Sequence, residues 1–252
     1  MTSLKLTVLA AGASRNIGYL SAIRLLGATV TFLRVLRSPA IFDDDILIQG
    51  HIKSRHVRLE EDTRRAWNEA GVVDVFLFSV GKQDIRHSQG FVIDKPSVCA
   101  QGILNVGAPQ PRIVGISSTG LTPTVHAALP LLLKPLYAML SVPHKDKIGM
   151  ERVLAHCAGW AWNSEADSEP AADIVGEGWR ERQGPPGPGT LKRVLVIRPA
   201  LLADGQCHPA GDYRVSEKEL GGYTISRKDT AHLVVDALAR WDEFENKRIS
   251  VA

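Results

Sequence analysis

Short apolar runs alternate with amphipathic stretches along most of the chain. The runs hold Val, Ile, Leu and Phe at nearly every position, which is typical of strands buried on both faces of a parallel sheet. The stretches between them carry apolar residues at helical spacing. The predicted strands cover residues 4–10, 29–35, 72–81, 111–119, 193–202 and 247–252. The predicted helices cover residues 16–26, 60–71, 95–107, 146–159 and 227–241.

The alternation of strand and helix predicts an α/β fold with a doubly wound parallel sheet, which is a Rossmann-like architecture. With 252 residues and a hydrophobic content of 44%, the chain can fill one large core. We therefore expect a single domain over residues 1–252, with a small C-terminal region on the substrate side.

One segment, residues 159–190, has no steady period and is rich in Gly, Pro and acidic residues. Such a composition predicts an inserted loop that is at least partly mobile. Its tryptophans Trp160, Trp162 and Trp179 either cover a substrate or pack onto the body of the protein. Packing is the favoured interpretation, because long loops are often tolerated insertions.

The charge balance argues against a nucleic-acid partner. The chain has 30 basic and 27 acidic residues, a net charge of +3, and no dense run of Lys or Arg. We therefore expect a small-molecule substrate and no nucleic acid or membrane as a partner. The apolar stretch 126–143 is interrupted by Pro and Lys, and it is shorter than the roughly 20 residues that a membrane span needs.

The three cysteines lie far apart and form no CxxC pair. This spacing predicts neither a disulfide framework nor a metal site, and a reducing, cytoplasmic location fits it best. The sequence makes no prediction of the oligomeric state.

The sequence AAGASRNIG, residues 10–18, joins the first predicted strand to the first predicted helix. Gly12 permits a tight turn, and Gly18 lets the helix pack closely on the sheet. Backbone N–H groups at the start of such a helix face a bound pyrophosphate, and the positive end of the helix adds to the attraction. The candidate cofactor-binding residues of this turn are Gly12, Ser14, Arg15, Asn16, Ile17 and Gly18.

This turn resembles the TGASRGIG turn of short-chain dehydrogenases/reductases, with Ala11 in place of the Thr and Asn16 in place of the middle Gly. Asn tolerates left-handed backbone angles better than other non-glycine residues, so the turn can keep its shape. The resemblance implies an NAD(P)-binding Rossmann-like fold and an oxidoreductase activity.

Two further strands are similar to the same superfamily, in the same order. VVDVFLFSVG resembles its fourth strand, which passes under the adenosine and ribose. RIVGISSTG resembles its fifth strand and places Ser118 at the position of the catalytic serine. The resemblance of the fourth strand adds the candidate cofactor-binding residues Ser79, Val80 and Gly81.

The C-terminal part resembles the extended and atypical branches of the superfamily, which include NmrA-like and biliverdin/flavin reductase-like proteins. VIRPALLADG is similar to their sixth strand, and ISRKDTAHLVVDAL to a later helix. In that helix Ser226 is expected to act as the N-cap and Asp229 to favour the first turn, which is a structural role.

Three arginines favour NADP(H) over NAD(H) as the cofactor. NAD-binding relatives hold the adenosine ribose with an acidic residue after the second strand, where this chain has Arg34 and Arg37 and no acid until Asp43. Arg15 lies in the glycine turn itself. Three guanidinium groups can bind a 2′-phosphate through charge-assisted hydrogen bonds. The alternative is that they are ordinary solvated surface residues.

The catalytic pattern of the superfamily is incomplete in this chain. Its Tyr stands four residues before a Lys and transfers a proton to or from the reacting oxygen. Lys147 matches the Lys, so the resemblance implies that it binds the nicotinamide ribose. Pro143 occupies the position of the Tyr and has no proton to give.

Another group must therefore supply the proton, or the proton step is absent. The candidate catalytic residues are Ser118, Tyr137, His144 and Lys147. His144 is the preferred proton donor, because an imidazole titrates near neutral pH. The alternative is that His144 is a helix cap or a surface group.

The predicted function is an NADPH-dependent reductase of the atypical short-chain dehydrogenase type. Its substrate is expected to be a moderately apolar carbonyl compound or a conjugated small molecule. Two alternatives stay open. The missing tyrosine is compatible with a non-redox enzyme on the same fold, such as an isomerase, dehydratase or cyclase. Asn16 and the missing acid are compatible with an NmrA-like nucleotide-sensing protein.

Overall fold

The structure is a computed structural model. It describes residues 6–27, 31–35, 39–54, 56–60, 65–66, 69, 71–80, 84–86, 90–92, 111–122, 140–181, 186–208, 211–220 and 222–252. The strands are β1 (Thr7–Ala11), β2 (Thr31–Val35), β3 (Val57–Glu60), β4 (Val75–Phe78), β5 (Asp84–Arg86), β6 (Gly90–Val92), β7 (Arg112–Ile116), β8 (Val194–Pro199), β9 (Leu201–Ala203), β10 (Val215–Ser216), β11 (Thr224–Ser226) and β12 (Lys247–Val251). The α-helices are α1 (Asn16–Leu26), α2 (Ile46–Lys53), α3 (Ser141–Ala158), α4 (Ser164–Asp167), α5 (Ala172–Val175), α6 (Arg227–Ala239) and α7 (Trp241–Phe244), with a short 3₁₀ helix at Pro39–Phe42.

Eight strands form one sheet in the order β10-β12-β8-β7-β4-β1-β2-β3. Every neighbouring pair is parallel except β10 with β12 at one edge. The order reverses at β1, because β2 and β3 lie on one side of it and β4, β7 and β8 on the other. The predicted doubly wound parallel sheet is therefore confirmed, and the crevice beyond the carboxyl ends of β1 and β4 is where such sheets bind ligands.

Contacts within the chain divide it into two compact units. The first unit comprises residues 1–79, 109–116 and 193–252 and contains the whole eight-stranded sheet. The second comprises residues 80–108 and 117–192 and contains α3, α4 and α5. The expectation of a single domain stays a prediction.

The core of the first unit lies among apolar side chains of the sheet and of helices α1 and α6. All four residues of β4 are buried, as the unbroken apolar run predicts. Helix α1 has the predicted bounds and buries one face, including Ile17, Ala22 and Leu25, while α6 packs against it. The periodic apolar pattern therefore places the first and last long helices correctly.

Two elements after β2 are missing from the prediction. Helix α2 begins after Asp45, whose carboxylate accepts a hydrogen bond from the N–H of Ile48 at 3.0 Å. Ile46 and Leu47 at its start are exposed. Because these apolar residues do not lie on the buried face, the hydrophobic pattern of the sequence shows no helical period there. Strand β3 follows it. The predicted helix 60–71 lies mostly, and the helix 95–107 wholly, outside the described residues.

In the second unit, α3 begins at Ser141, five residues before the predicted start at residue 146. Pro143 lies in its first turn, where a missing N–H costs nothing because the first N–H groups of a helix have no partner within it. A proline close to the start is therefore part of this helix and does not precede it.

The two ends of the inserted segment, near Gly159 and Gly189, lie close together. Gly159 and Gly189 both have positive φ, and a Cβ placed on Gly159 would lie 3.0 Å from the Cα of Gly189. Between them, Ile174 and Trp179 are buried, and the Arg152 guanidinium of α3 lies over the rings of Trp162 and Trp179. These contacts agree with packing of both tryptophans onto α3. The expected mobility of the segment stays a prediction.

Candidate functional site

The glycine turn lies between the end of β1 at Ala11 and the start of α1 at Asn16. Gly12 has φ of +81° and Asn16 has φ of +57°, both in the left-handed region. Glycine enters this region without strain, and Asn enters it more easily than other side chains do. Asn16 therefore keeps the backbone shape that the middle Gly of the related motif would give.

Gly18 is required by its surroundings. A Cβ on this residue would lie 2.3 Å from Oγ of Ser79 and 2.7 Å from the carbonyl oxygen of Gly12. Ser79 cannot move away easily, because its Oγ and its backbone N–H both donate to the carbonyl of Ala11, at 3.1 and 3.0 Å. The start of α1 is thus held directly against the residue that follows β4.

The N-terminus of α1 carries no negative side chain of its own. Arg15 is the N-cap residue, its exposed side chain makes no capping hydrogen bond, and the first turn contains no acidic residue. The first N–H groups of a helix point outward at its positive end, which attracts anions. The side chain of Ile17 is buried, so Ile17 can contribute to binding only through its backbone.

The other two predicted ligands of the 2′-phosphate are Arg34 and Arg37, and their side chains lie outside the described residues. Arg34 is in β2 and pairs with Ala10 of β1, but its side chain lies outside them. Arg37, Gly81 and Tyr137 lie outside them entirely.

In the second unit, Lys147 lies on α3 and its Nζ donates a hydrogen bond to the carbonyl of Val80 at 3.0 Å. Two predicted site residues are therefore in direct contact. His144, one turn earlier on the same helix, is buried. Residues three apart on a helix lie on the same face, so His144 and Lys147 are neighbours there. Ser118 follows β7 by two residues, is half-buried, and its Oγ donates to the carbonyl of Thr119 at 3.0 Å.

A cluster around Asp229 was only partly predicted. Ser226 is the N-cap of α6 and its Oγ accepts from the N–H of Asp229 at 2.9 Å, as expected. The contact of Asp229 with His208 was missed: the backbone N–H of His208 donates to Oδ1 at 2.8 Å, and its ring Nδ1 lies 2.7 Å from Oδ2. The two residues are 21 positions apart in the chain. No local pattern could have indicated this pair.

Asp229 is fully buried, yet it is held in the ionised form. Burial by itself would raise the pKa of its carboxyl, but hydrogen bonds from the Ser226 hydroxyl and from the ring and backbone of His208 lower the pKa to about 2. Because an ionised carboxylate can only accept hydrogen bonds, Nδ1–H of His208 is the donor to Oδ2 of Asp229.

Comparison with known proteins supports the predicted resemblance. No protein-family model matches the chain. A protein named Reductase pytE from Aspergillus terreus is 28% identical over 191 residues, which are 68% of this chain and 63% of that protein. The chain thus spans less than two thirds of the length of this curated relative.

Solved structures with the same fold are more distant in sequence. One is a short-chain dehydrogenase/reductase (wide type) from Veillonella parvula in complex with NADP, 15% identical, with a TM-score of 0.57 over 99% of this chain and 95% of that one. Another is the oxidoreductase ylbE from Lactococcus lactis, 11% identical, with a TM-score of 0.58 over 98% and 90%. The Rossmann-like fold is thereby confirmed. The proteins that this chain resembles are therefore named as reductases, dehydrogenases or oxidoreductases, and one of them was solved in complex with NADP.

Within the part of the chain that the structure describes, none of the helices has the length and apolar character needed to cross a bilayer.

Proposed function

We propose that this protein is an NADPH-dependent reductase of the atypical short-chain dehydrogenase type. Its substrate is a moderately apolar carbonyl compound or a conjugated small molecule. The observation that carries the proposal is the glycine turn, where Gly12 and Asn16 adopt left-handed angles and Gly18 packs against Ser79 at the start of a helix with no acidic first turn. A diphosphate is the anion that such a turn binds at this position of a doubly wound sheet.

In this proposal the residues of the turn bind the pyrophosphate mainly through their backbone N–H groups. Arg15 reaches the phosphate on the adenosine ribose together with Arg34 and Arg37. Its exposed position at the N-cap supports this role, because an arginine there is available to an incoming anion. Ser79, Val80 and Gly81 follow β4 and line the ribose side of the cofactor.

In the catalytic step, each candidate residue has a separate role. NADPH supplies a hydride to the substrate when it is bound, and Lys147 binds the nicotinamide ribose. Pro143 provides no proton, so the proton comes from His144, Tyr137 or Ser118. His144 and Lys147 share one face of α3, which supports His144 as the first of these.

The cofactor is tested by titrating the intrinsic tryptophan fluorescence with NADPH and with NADH. The expected result is tighter binding of NADPH. Arg15→Ala should weaken NADPH binding about tenfold, because one charge-assisted hydrogen bond to the 2′-phosphate is lost, and should leave NADH binding almost unchanged. Arg58→Ala is the control, since Arg58 is exposed near the amino end of β3. Equal and weak binding of both nucleotides would contradict the cofactor assignment.

The activity is tested by following NADPH oxidation at 340 nm (about the absorption maximum of the reduced nicotinamide) across a panel of quinones, enones, aldehydes and flavins. Turnover with at least one of them is expected. His144→Ala and Ser118→Ala should slow it, and unchanged rates in both variants would show that the assignment of the proton donor is wrong. Binding of NADPH without oxidation of any acceptor would favour a nucleotide sensor, and loss of any nucleotide binding would favour a non-redox enzyme.

A further inference from the structure

The segment between β9 and β11, described at residues 204–208, 211–220 and 222–223, contains β10, which pairs with β12 at one edge of the eight-stranded sheet. The segment follows β8 and β9. Strand β8 runs parallel to β1, with β7 and β4 between them in the sheet, so the segment begins at the same edge of the sheet as the glycine turn. Strands β9 and β11 pair in parallel, with Leu201 opposite Thr224 and Ala203 opposite Ser226. Ligands of open α/β sheets bind beyond this edge. The β9–β11 segment is therefore on the side of the sheet that faces a substrate.

The Asp229 cluster, which consists of Ser226, Asp229 and His208, joins the two ends of this segment. His208 lies near its beginning and Ser226 directly after its end, and both donate hydrogen bonds to the same buried carboxylate. The side chain of Asp229 is only 1% exposed. An ionised carboxylate in such a place must keep its donors, because an unsatisfied buried charge is strongly unfavourable.

Other contacts at the same end are weaker. Arg227 pairs with Asp204 at 2.6 Å, but the carboxylate of Asp204 is 92% exposed, and exposed ion pairs contribute little. Lys228 donates to the side chain of Gln206 at 3.0 Å, also on the surface. Among the described contacts that join the start of the segment to the first turn of α6, the side chain of Asp229 is buried, whereas the ring of His208 is 60% exposed, and Sγ of Cys207 lies 3.9 Å from the carbonyl oxygen of Lys228.

We propose that Asp229 is a positioning residue: through His208 and Ser226 it closes the base of the β9–β11 segment and holds that segment in the shape that binds the acceptor substrate. The inference rests on the proposed reductase activity. It assigns no chemical step to Asp229 or His208. It deepens the proposed function by naming a determinant of substrate affinity that lies outside the glycine turn and outside α3.

The decisive measurement separates the KM of the acceptor from kcat and from NADPH affinity. Asp229→Asn removes the charge that holds both donors, and it should raise the acceptor KM about tenfold while kcat and the Kd of NADPH stay within about twofold. His208→Ala removes only the ring contact, keeps the backbone donor, and should raise KM in the same direction by a smaller factor. A change in KM at constant kcat is the signature of lost binding without lost chemistry.

Tyr213→Phe is the matched control. Tyr213 lies in the same segment, and its hydroxyl is 2.8 Å from Nδ1 of His232 on α6, so this variant also removes a contact to α6 but leaves the Asp229 cluster intact. It should leave the acceptor KM unchanged. If Tyr213→Phe and His208→Ala raise KM equally, the special role of Asp229 is refuted.

Hydrogen–deuterium exchange provides a readout that needs no activity. His208→Ala should increase exchange at residues 204–208 and 222–226, and Tyr213→Phe should not. Unchanged exchange in His208→Ala, or an unchanged acceptor KM in both cluster variants, overturns the inference. Absence of NADPH oxidation by the wild-type protein instead overturns the proposed function, and the exchange pattern then still decides whether the cluster closes the segment.

Discussion

Helices α1 and α6 pack against each other, but their N-termini are built in opposite ways. At α1 the N-cap is Arg15, which makes no capping hydrogen bond, and the first turn holds no acid. At α6 the N-cap is Ser226, whose Oγ accepts from the backbone of Asp229, and the buried Asp229 adds a negative charge in the first turn. The positive end of α6 is thus compensated by a carboxylate in its first turn, whereas the first turn of α1 contains no acidic residue.

The difference shows why a helix N-terminus alone does not identify a ligand site. Both ends offer N–H groups and the same direction of the helix dipole, but a carboxylate supplied by the chain removes the attraction for a second anion. The start of α1 combines a first turn without an acidic residue with the close approach of Gly18 to Ser79. This combination distinguishes a proposed dinucleotide site from an ordinary helix start.

The largest effect is expected from Gly18→Val, which destroys the close approach at α1. Its side chain would overlap Ser79 and the backbone of Gly12 and Ala13, so NADPH binding should be lost and the free energy of unfolding should fall by about 3 kcal/mol or more. Fluorescence titration and urea unfolding measure the two effects. Gly50→Ala in α2 is the control: nothing lies within 4 Å of its Cβ position, so stability should not fall. A Gly18→Val protein that binds NADPH normally would refute the packing argument.

The next effect tests the charge at α6. The pKa of Asp229 is about 2 in the folded protein, below the 3.8 of an unperturbed aspartate, so its ionised form stabilises the fold above pH 4, and this contribution is lost as the pH falls towards 2. The stability difference between the wild type and Asp229→Asn should therefore shrink by about 2 kcal/mol between pH 5 and pH 2. Urea unfolding at several pH values measures it. A difference that does not depend on pH would mean that Asp229 is not held ionised.

A smaller effect is expected when α1 receives an acid of its own. Asn16→Asp keeps a residue that tolerates φ of +57°, so the turn should keep its shape. The new carboxylate is favourable for the helix but repels a diphosphate, so NADPH affinity should fall about tenfold while stability is unchanged or slightly higher. Asn16→Gly is the control and should bind NADPH at least as well as the wild type. Equal affinity of Asn16→Asp and the wild type would place the phosphates elsewhere.

The smallest effect on NADPH binding is expected from Ser226→Ala, which removes the side-chain cap of α6 and one donor to Asp229. The loss of the N-cap hydroxyl lowers stability by about 1 kcal/mol or more, because the buried Asp229 carboxylate also loses one of its hydrogen-bond donors. NADPH affinity should stay the same, because α6 is not the proposed phosphate site. Thermal unfolding and fluorescence titration measure both quantities, and a clear loss of NADPH binding would show that the two helix ends are not independent.

The sequence predicted some features of the two helix N-termini and missed others. The bounds of α1 and the left-handed tolerance of Asn16 followed from local rules, because a glycine turn between a buried strand and an amphipathic helix is a pattern of neighbouring residues. Ser226 as a cap followed in the same way. Helix α2 was missed because two of its apolar residues point to solvent. The start of α3 at Ser141 lies before the predicted start at residue 146, because a proline in the first turn of a helix is compatible with the helix but gives no helical signal in the sequence.

What the sequence determined by itself is therefore the alternation of the main strands and helices, the parallel sheet that they imply, and the turn that precedes α1. These depend on hydrophobic period and on backbone preferences, both of which act over a few residues. Tertiary structure alone decided that Ser79 faces Gly18, that Lys147 contacts the carbonyl of Val80, and that His208 bonds to Asp229. Each of these pairs joins residues at least 21 positions apart, and folding brings such residues together through the packing of whole elements and not through any property of their immediate neighbours.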